Sequence, residues 1–114
     1  MIEAQINSVH SVTLIKTVNG VPAGFATGTR LEEESELYRI AVLTKYRKQG
    51  LAKELLTRFL EKCGNDVFLE VRSKNTAAIK LYESAGFTVA GRRKNYYGDD
   101  DAVVYRRKFA EEKI

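Results

Sequence analysis

The chain has 114 residues, 44% hydrophobic and 30% charged, with 19 Lys+Arg against 15 Asp+Glu for a formal charge of +4. That length suits a single domain, residues 1–114, and lets roughly two-thirds of the unfolded surface be buried without staples. One cysteine, Cys63, excludes an internal disulfide framework, and one histidine, His10, argues against a zinc cluster or a histidine-based triad.

No apolar run is long enough for a membrane span or a signal peptide, so the expected setting is reduced and cytoplasmic. In chain order, residues 9–18, VHSVTLIKTV, mix β-branched and polar residues and predict a strand. Asn19-Gly20 is a strong hairpin signal, because both positions tolerate positive φ. Residues 22–31 return as a second strand, with Pro22 at its start, where a missing N–H matters least. Glu32 to Ser35 reads as a charged loop, and residues 36–43, ELYRIAVL, as a third strand with an apolar end that suggests burial on both faces.

Helical spacing follows. Leu51, Leu55, Leu56, Phe59, Leu60 and Cys63 fall on one side of a helix over Gly50–Cys63, which puts Cys63 in the core. Val67–Val71 is a short buried strand. Asn75 is a candidate cap for a second helix, whose apolar side is Ala78, Ile79, Leu81, Tyr82 and Ala85, and Gly86 closes it. Residues 87–93 and 102–109 form a last antiparallel pair around the turn Tyr97–Asp101. The middle strand-helix-strand unit implies one parallel pair inside a mostly antiparallel sheet, an α/β (α+β) fold.

Charge is distributed in blocks. Arg30–Thr44 carries two positive and four negative side chains, whereas Lys45–Arg58 carries five positive and one negative. Elsewhere the signs alternate, as in Arg92-Arg93-Lys94 followed by Asp99-Asp100-Asp101, so no continuous basic stripe invites nucleic acid. Arg92–Lys94 itself reads as a solvated strand end rather than as a substrate clamp. The basic block at 45–58 coincides with a glycine and a helix start. Free N–H groups and the positive end of the helix dipole meet there, which suits the phosphates of a small polyanion. Gly50 and Ala52 are small enough for close backbone approach, and Lys48 and Lys53 add charge.

Arg47-x-x-Gly50-x-Ala52 resembles the acetyl-CoA pyrophosphate loop of the GNAT acetyltransferases. Asn75 to Phe87, NTAAIKLYESAGF, resembles that family's other cofactor motif, N-x-x-A-x-x-L-Y-E-x-x-G-F, at the correct order and distance. The resemblance covers roughly residues 12 to 109. Ile40-Ala41-Val42, Leu69-Glu70-Val71-Arg72 and Asn95-Tyr96-Tyr97 narrow it to enzymes of the ribosomal-protein-alanine type, which modify protein N-termini.

The resemblance implies a GNAT fold and acetyl-CoA as co-substrate, with no metal. By analogy, Ile40, Ala41 and Val42 lend backbone groups to the pantetheine arm, with the Val42 N–H as oxyanion donor. Lys48, Gln49, Gly50, Leu51, Ala52 and Lys53 cradle the pyrophosphate, and Asn75 contacts the arm. Glu36–Leu43 and Val67–Val71 are implied to splay apart around it. Glu70 maps onto the family's general base and Tyr82 onto its general acid. The structural alternatives are Glu70 as a strand-end partner of Arg72 or Arg39, and Tyr82 as helix packing.

Relatives carry a strand and two helices ahead of the first hairpin, whereas about ten residues precede it here, so the fold is expected to be N-terminally shortened. Apolar surface is then expected to be left for a partner, with a homodimer as the candidate. The leading expectation is transfer of acetyl to the N-terminal amine of a protein such as a ribosomal protein. The alternatives are a GNAT acting on a lysine or small amine, and a trimmed non-catalytic CoA-binding module.

Overall fold

Seven strands and two helices make up the described part of the chain. Strands β1 (Ile2–Gln5), β2 (Ser11–Val18), β3 (Val21–Arg30) and β4 (Glu34–Val42) are followed by a 3₁₀ turn at Thr44–Tyr46. Helix α1 (Leu51–Cys63), β5 (Asp66–Arg72), α2 (Thr76–Ser84), β6 (Thr88–Arg93) and β7 (Ala102–Arg107) complete it. The computed structural model describes residues 1–5 and 10–109.

The sheet order is β1-β2-β3-β4-β5-β7-β6, antiparallel except for β4 and β5. The predicted hairpin is present, with Asn19 and Gly20 at φ 51° and 79°. β2 alternates as a half-buried strand should: Val12 and Leu14 enter the core while Thr13 and Ile15 face the other way. Both helices pack on the same face of the sheet. On α1, Leu55, Leu56, Phe59 and Cys63 are fully buried, in one cluster with Leu14, Ala26, Leu37, Val67 and Leu69. On α2, Tyr82 joins that cluster, and the Tyr105 hydroxyl of β7 bonds Glu83 at 3.2 Å. Gly28 lets α1 approach β3, since a Cβ there would lie 2.7 Å from the Phe59 ring.

Three expectations need correction. The chain ahead of the hairpin includes a strand, β1, paired with β2 from Ile2↔Lys16 to Gln5↔Thr13. Four residues, IEAQ, are too short to show a period, and their pairing depends on β2. Second, Glu34 and Ser35 are not loop. They begin β4, because the buried Ser35 hydroxyl bonds the Asn65 side chain at 2.7 Å and the backbone pairs with both β3 and β5. Third, the apolar end of β4 is half-buried rather than buried on both faces. Ile40 and Val42 pack toward the helices, while Ala41 lines a hollow on the opposite face.

The β4–β5 pairing positions the site. It runs only Glu34↔Asp66, Ser35↔Val67 and Glu36↔Phe68, and then the strands part. Beyond that point β4 stays on β3 and β5 stays on β7. A bulge in β4 accompanies the parting: Thr27 faces Arg39 and Gly28 faces Leu37, leaving Tyr38 extra.

Candidate active site

Strand alternation decides which backbone groups look into the gap. The Leu43 N–H donates to Ala23 O on β3 at 2.8 Å. The N–H of Val42, and the N–H and C=O of Ile40, therefore point the other way, toward the gap left by β5. The Val42 C=O accepts from Arg47 Nε at 3.2 Å, so the basic loop folds back onto the strand end. This leaves a short row of backbone donors and an acceptor with no strand opposite, able to bind an extended amide-bearing arm as a partner strand would.

The row ends at the start of α1. Lys48 and Gly50 both have left-handed backbone, φ 62° and 77°, and Gly50 is the helix N-cap. The first helical bond runs from Glu54 N–H to Gly50 O at 3.0 Å, and no side chain caps this end. The N–H groups of Gly50, Leu51, Ala52 and Lys53 are thus without helical partners. Nothing lies within 4 Å of where a Gly50 Cβ would be, so the approach is open. Lys48, Gln49 and Lys53 are exposed, whereas the Leu51 side chain belongs to the core and can contribute only its amide. Donors, dipole and lysines on an open surface fit a pyrophosphate.

α2 begins on the far side of the gap. Asn75 caps it, its Oδ1 accepting from Ala78 N–H at 3.2 Å. Tyr82, seven residues on, is 8% exposed and packs against Phe87 at a centroid distance of 5.8 Å. Its hydroxyl has no hydrogen bond among the described residues, yet it is not among the sealed-in atoms lacking a partner, so it reaches open space. Burial pushes the phenol up from its ordinary value, which keeps it protonated at neutral pH.

Glu70 faces away from the helices, into a cavity of about 300 Å³ shared with Thr29, Glu36, Tyr38, Phe68 and Arg93. Tyr82 is not among the residues lining that cavity. Glu70 pairs with neither Arg72 nor Arg39. Its Oε1 lies 3.1 Å from Arg93 Nε. Arg72 is occupied by the Tyr97 ring, 4.1 Å from its guanidinium carbon.

Sequence reasoning missed Arg93, which is not simply a solvated strand end. No local pattern signals the contact, because Glu70 is level with Val104 and Arg93 with Ala102, on strands separated by β7. Missed too was Asp100, 5% exposed, which accepts from the Ser73 hydroxyl, from Lys74 N–H at 3.3 Å and from Asp101 N–H at 2.8 Å. It ties the Tyr97–Asp101 loop to the turn just before α2. No group of three metal-ligating side chains occurs among the described residues, nor any helix long and apolar enough to cross a membrane.

A family described as acetyltransferase (GNAT) matches residues 2–87. The [ribosomal protein bS18]-alanine N-acetyltransferase of Escherichia coli (strain K12) is 45% identical over 96 residues, covering 77% of this chain and 65% of that protein. The chain thus spans just under two-thirds of the length of that curated relative. The N-alpha-acetyltransferase RimI of Mycobacterium tuberculosis is 34% identical over 106 residues, covering 89% of this chain and 67% of that protein. The crystal structure of the Escherichia coli ribosomal-protein-S18-alanine N-acetyltransferase superposes with a TM-score of 0.86 at 33% identity, covering 94% of this chain and 74% of that one.

Proposed function

The chain belongs to the GNAT acetyltransferase family, and from that premise we propose that it works as one domain moving acetyl from acetyl-CoA to the α-amino group of a protein N-terminus. One observation carries the reading: β4 and β5 part after three pairs, beside a helix start rich in free N–H groups, with Glu70 at the edge of the gap. The relatives' names support an N-terminal alanine of a ribosomal protein as acceptor. A cytoplasmic setting suits the unpaired thiol of Cys63.

The co-substrate supplies an acetyl thioester, at which a C–N bond to the amine forms and the C–S bond breaks. The chain's residues divide the remaining work. Lys48 to Lys53 hold the phosphates, and the edge of Ile40 to Val42, with Asn75, aligns the arm. The Val42 N–H faces the charge that develops on the carbonyl oxygen. Glu70 takes the proton that the amine nitrogen loses on attack. An α-amino group has a pKa of about 7.7–8.0, so modest base assistance suffices near neutral pH. Tyr82 gives its phenolic proton to sulfur as the C–S bond breaks.

Incubating a peptide library with acetyl-CoA, followed by mass spectrometry, tests the reading. Acetyl should be found on N-terminal amines and not on lysine side chains or polyamines. Tyr82→Phe keeps the ring packing and removes the proton donor, so turnover should fall by roughly 10²–10⁴-fold with little change in acetyl-CoA affinity. Glu70→Gln should cost most near neutral pH and less as pH rises and the amine deprotonates unaided. Full turnover in Tyr82→Phe would make that residue structural. Tight acetyl-CoA binding with no turnover on any amine would establish a binding module instead. We further propose that a second copy of the chain covers the helix-free face of β2, β3 and β4.

A further inference from the structure

We propose that Arg93 is a positioning residue for Glu70, fixing one carboxylate oxygen so that the other is presented to the acceptor amine; this rests on Glu70 being the proton acceptor. The two carboxylate oxygens are not equivalent. Oε1 is the oxygen in contact with the guanidinium, 3.1 Å from Arg93 Nε, while Oε2 accepts no hydrogen bond among the described residues. Glu70 is 27% exposed at its side chain and lines the cavity, so its carboxylate is open to a ligand.

Arg93 is itself held. Its guanidinium carbon is 5.4 Å from the centre of the Tyr96 ring, and Tyr96 meets Tyr97 edge-on at 5.1 Å and 88°. Tyr97 in turn lies under Arg72, which is two residues along β5 from Glu70 and so on the same face. The contacts form a closed circuit, Glu70–Arg93–Tyr96–Tyr97–Arg72, that begins and ends on one strand. Ala102 is opposite both arginines and fully buried, a small side chain over which the guanidinium groups can lie.

An ion pair whose arginine side chain is 58% exposed contributes little to folding stability. Its consequence is geometric. A glutamate side chain otherwise rotates freely about its terminal torsion, and a proton acceptor must meet its donor within hydrogen-bond reach. The Arg93 Nε contact selects one orientation. The proton lost by the amine goes to Oε2, and Oε1 stays on the guanidinium throughout.

A double-mutant cycle tests this. In the unmodified chain, Arg93→Gln should lower kcat with the best peptide acceptor by about tenfold, within the coupling expected of residues in direct contact. KM for acetyl-CoA and the melting temperature should stay unchanged. In the Glu70→Gln background the same substitution should change kcat by less than about twofold, because Arg93 acts only through Glu70. Arg93→Lys keeps the charge without the planar fork and should recover part of the rate. Equal losses in both backgrounds, or no loss in the first, would overturn the proposal while leaving Glu70 as base. No loss in Glu70→Gln alone would remove the base reading and this proposal with it. If Arg93→Gln does not fold, the cycle run with Arg93→Lys decides by the same comparison.

Discussion

Gly50 has the heaviest consequences of any single residue in the loop. Its left-handed backbone turns the chain into α1, and the space beside it is empty. Gly50→Glu puts a β-carbon into a conformation that L residues avoid and a negative charge where an anion should bind. Acetyl-CoA affinity should weaken by at least about tenfold, through lost approach and repulsion. Calorimetry on the folded variant checks this, and an unchanged affinity would remove the phosphate-loop assignment.

At the scale of elements, the tie between the β6–β7 loop and the β5–α2 turn depends on ionised Asp100. The Ser73 hydroxyl, then the N–H groups of Lys74 and Asp101, hold its carboxyl below the ordinary aspartate range. A carboxyl depressed in the folded state stabilises above its unfolded pKa of about 3.9, and that contribution disappears as pH falls through the folded value. The Lys74 and Asp101 amide resonances should therefore titrate with a midpoint below that of a free aspartate, and Asp100→Asn should abolish the titration. A midpoint at or above the free value would contradict the tie. Such a tie between loops 26 residues apart is invisible in a local pattern.

Elements governed by local chemistry were legible: Asn19-Gly20 for the hairpin, the spacing from Leu51 to Cys63 for α1, Asn75 for the cap of α2. Elements fixed by distant partners were not. β1 exists through β2, Ser35 joins a strand through Asn65, and Glu70 finds Arg93 across an intervening strand. The positions of the glycine loop before α1 and of Glu70 on β5 could be read from motif and order, but the company Glu70 keeps could not.

For the whole molecule, the two faces of the sheet differ. Both helices cover one, while on the other Ile15, Phe25, Ala41 and Leu43 border an apolar hollow of about 420 Å³. Contiguous apolar surface of this kind marks an interaction site, and a second copy is the proposed cover. Sedimentation at high micromolar concentration should give a dimer, and Phe25→Asp should return it to monomer. A strict monomer for the unmodified chain would contradict the assembly.

The brevity of the β4–β5 contact also bears on cooperativity. Three rungs join a four-stranded half, β1 to β4, to a three-stranded half, β5, β7 and β6. The remaining joint is the core beneath α1, where side chains of both halves meet. Units so joined open separately when the contacts between them are few. Amide hydrogen exchange should then distinguish two protection levels, one on each side of the seam. An arm lying along Ile40 and Val42 would supply the missing rungs and stabilise whichever state holds it. Saturation with acetyl-CoA should slow exchange at those two amides and bring the halves toward a single opening event. In that sense such an arm would serve as a temporary eighth strand, and the chain would be most nearly one piece while it is occupied.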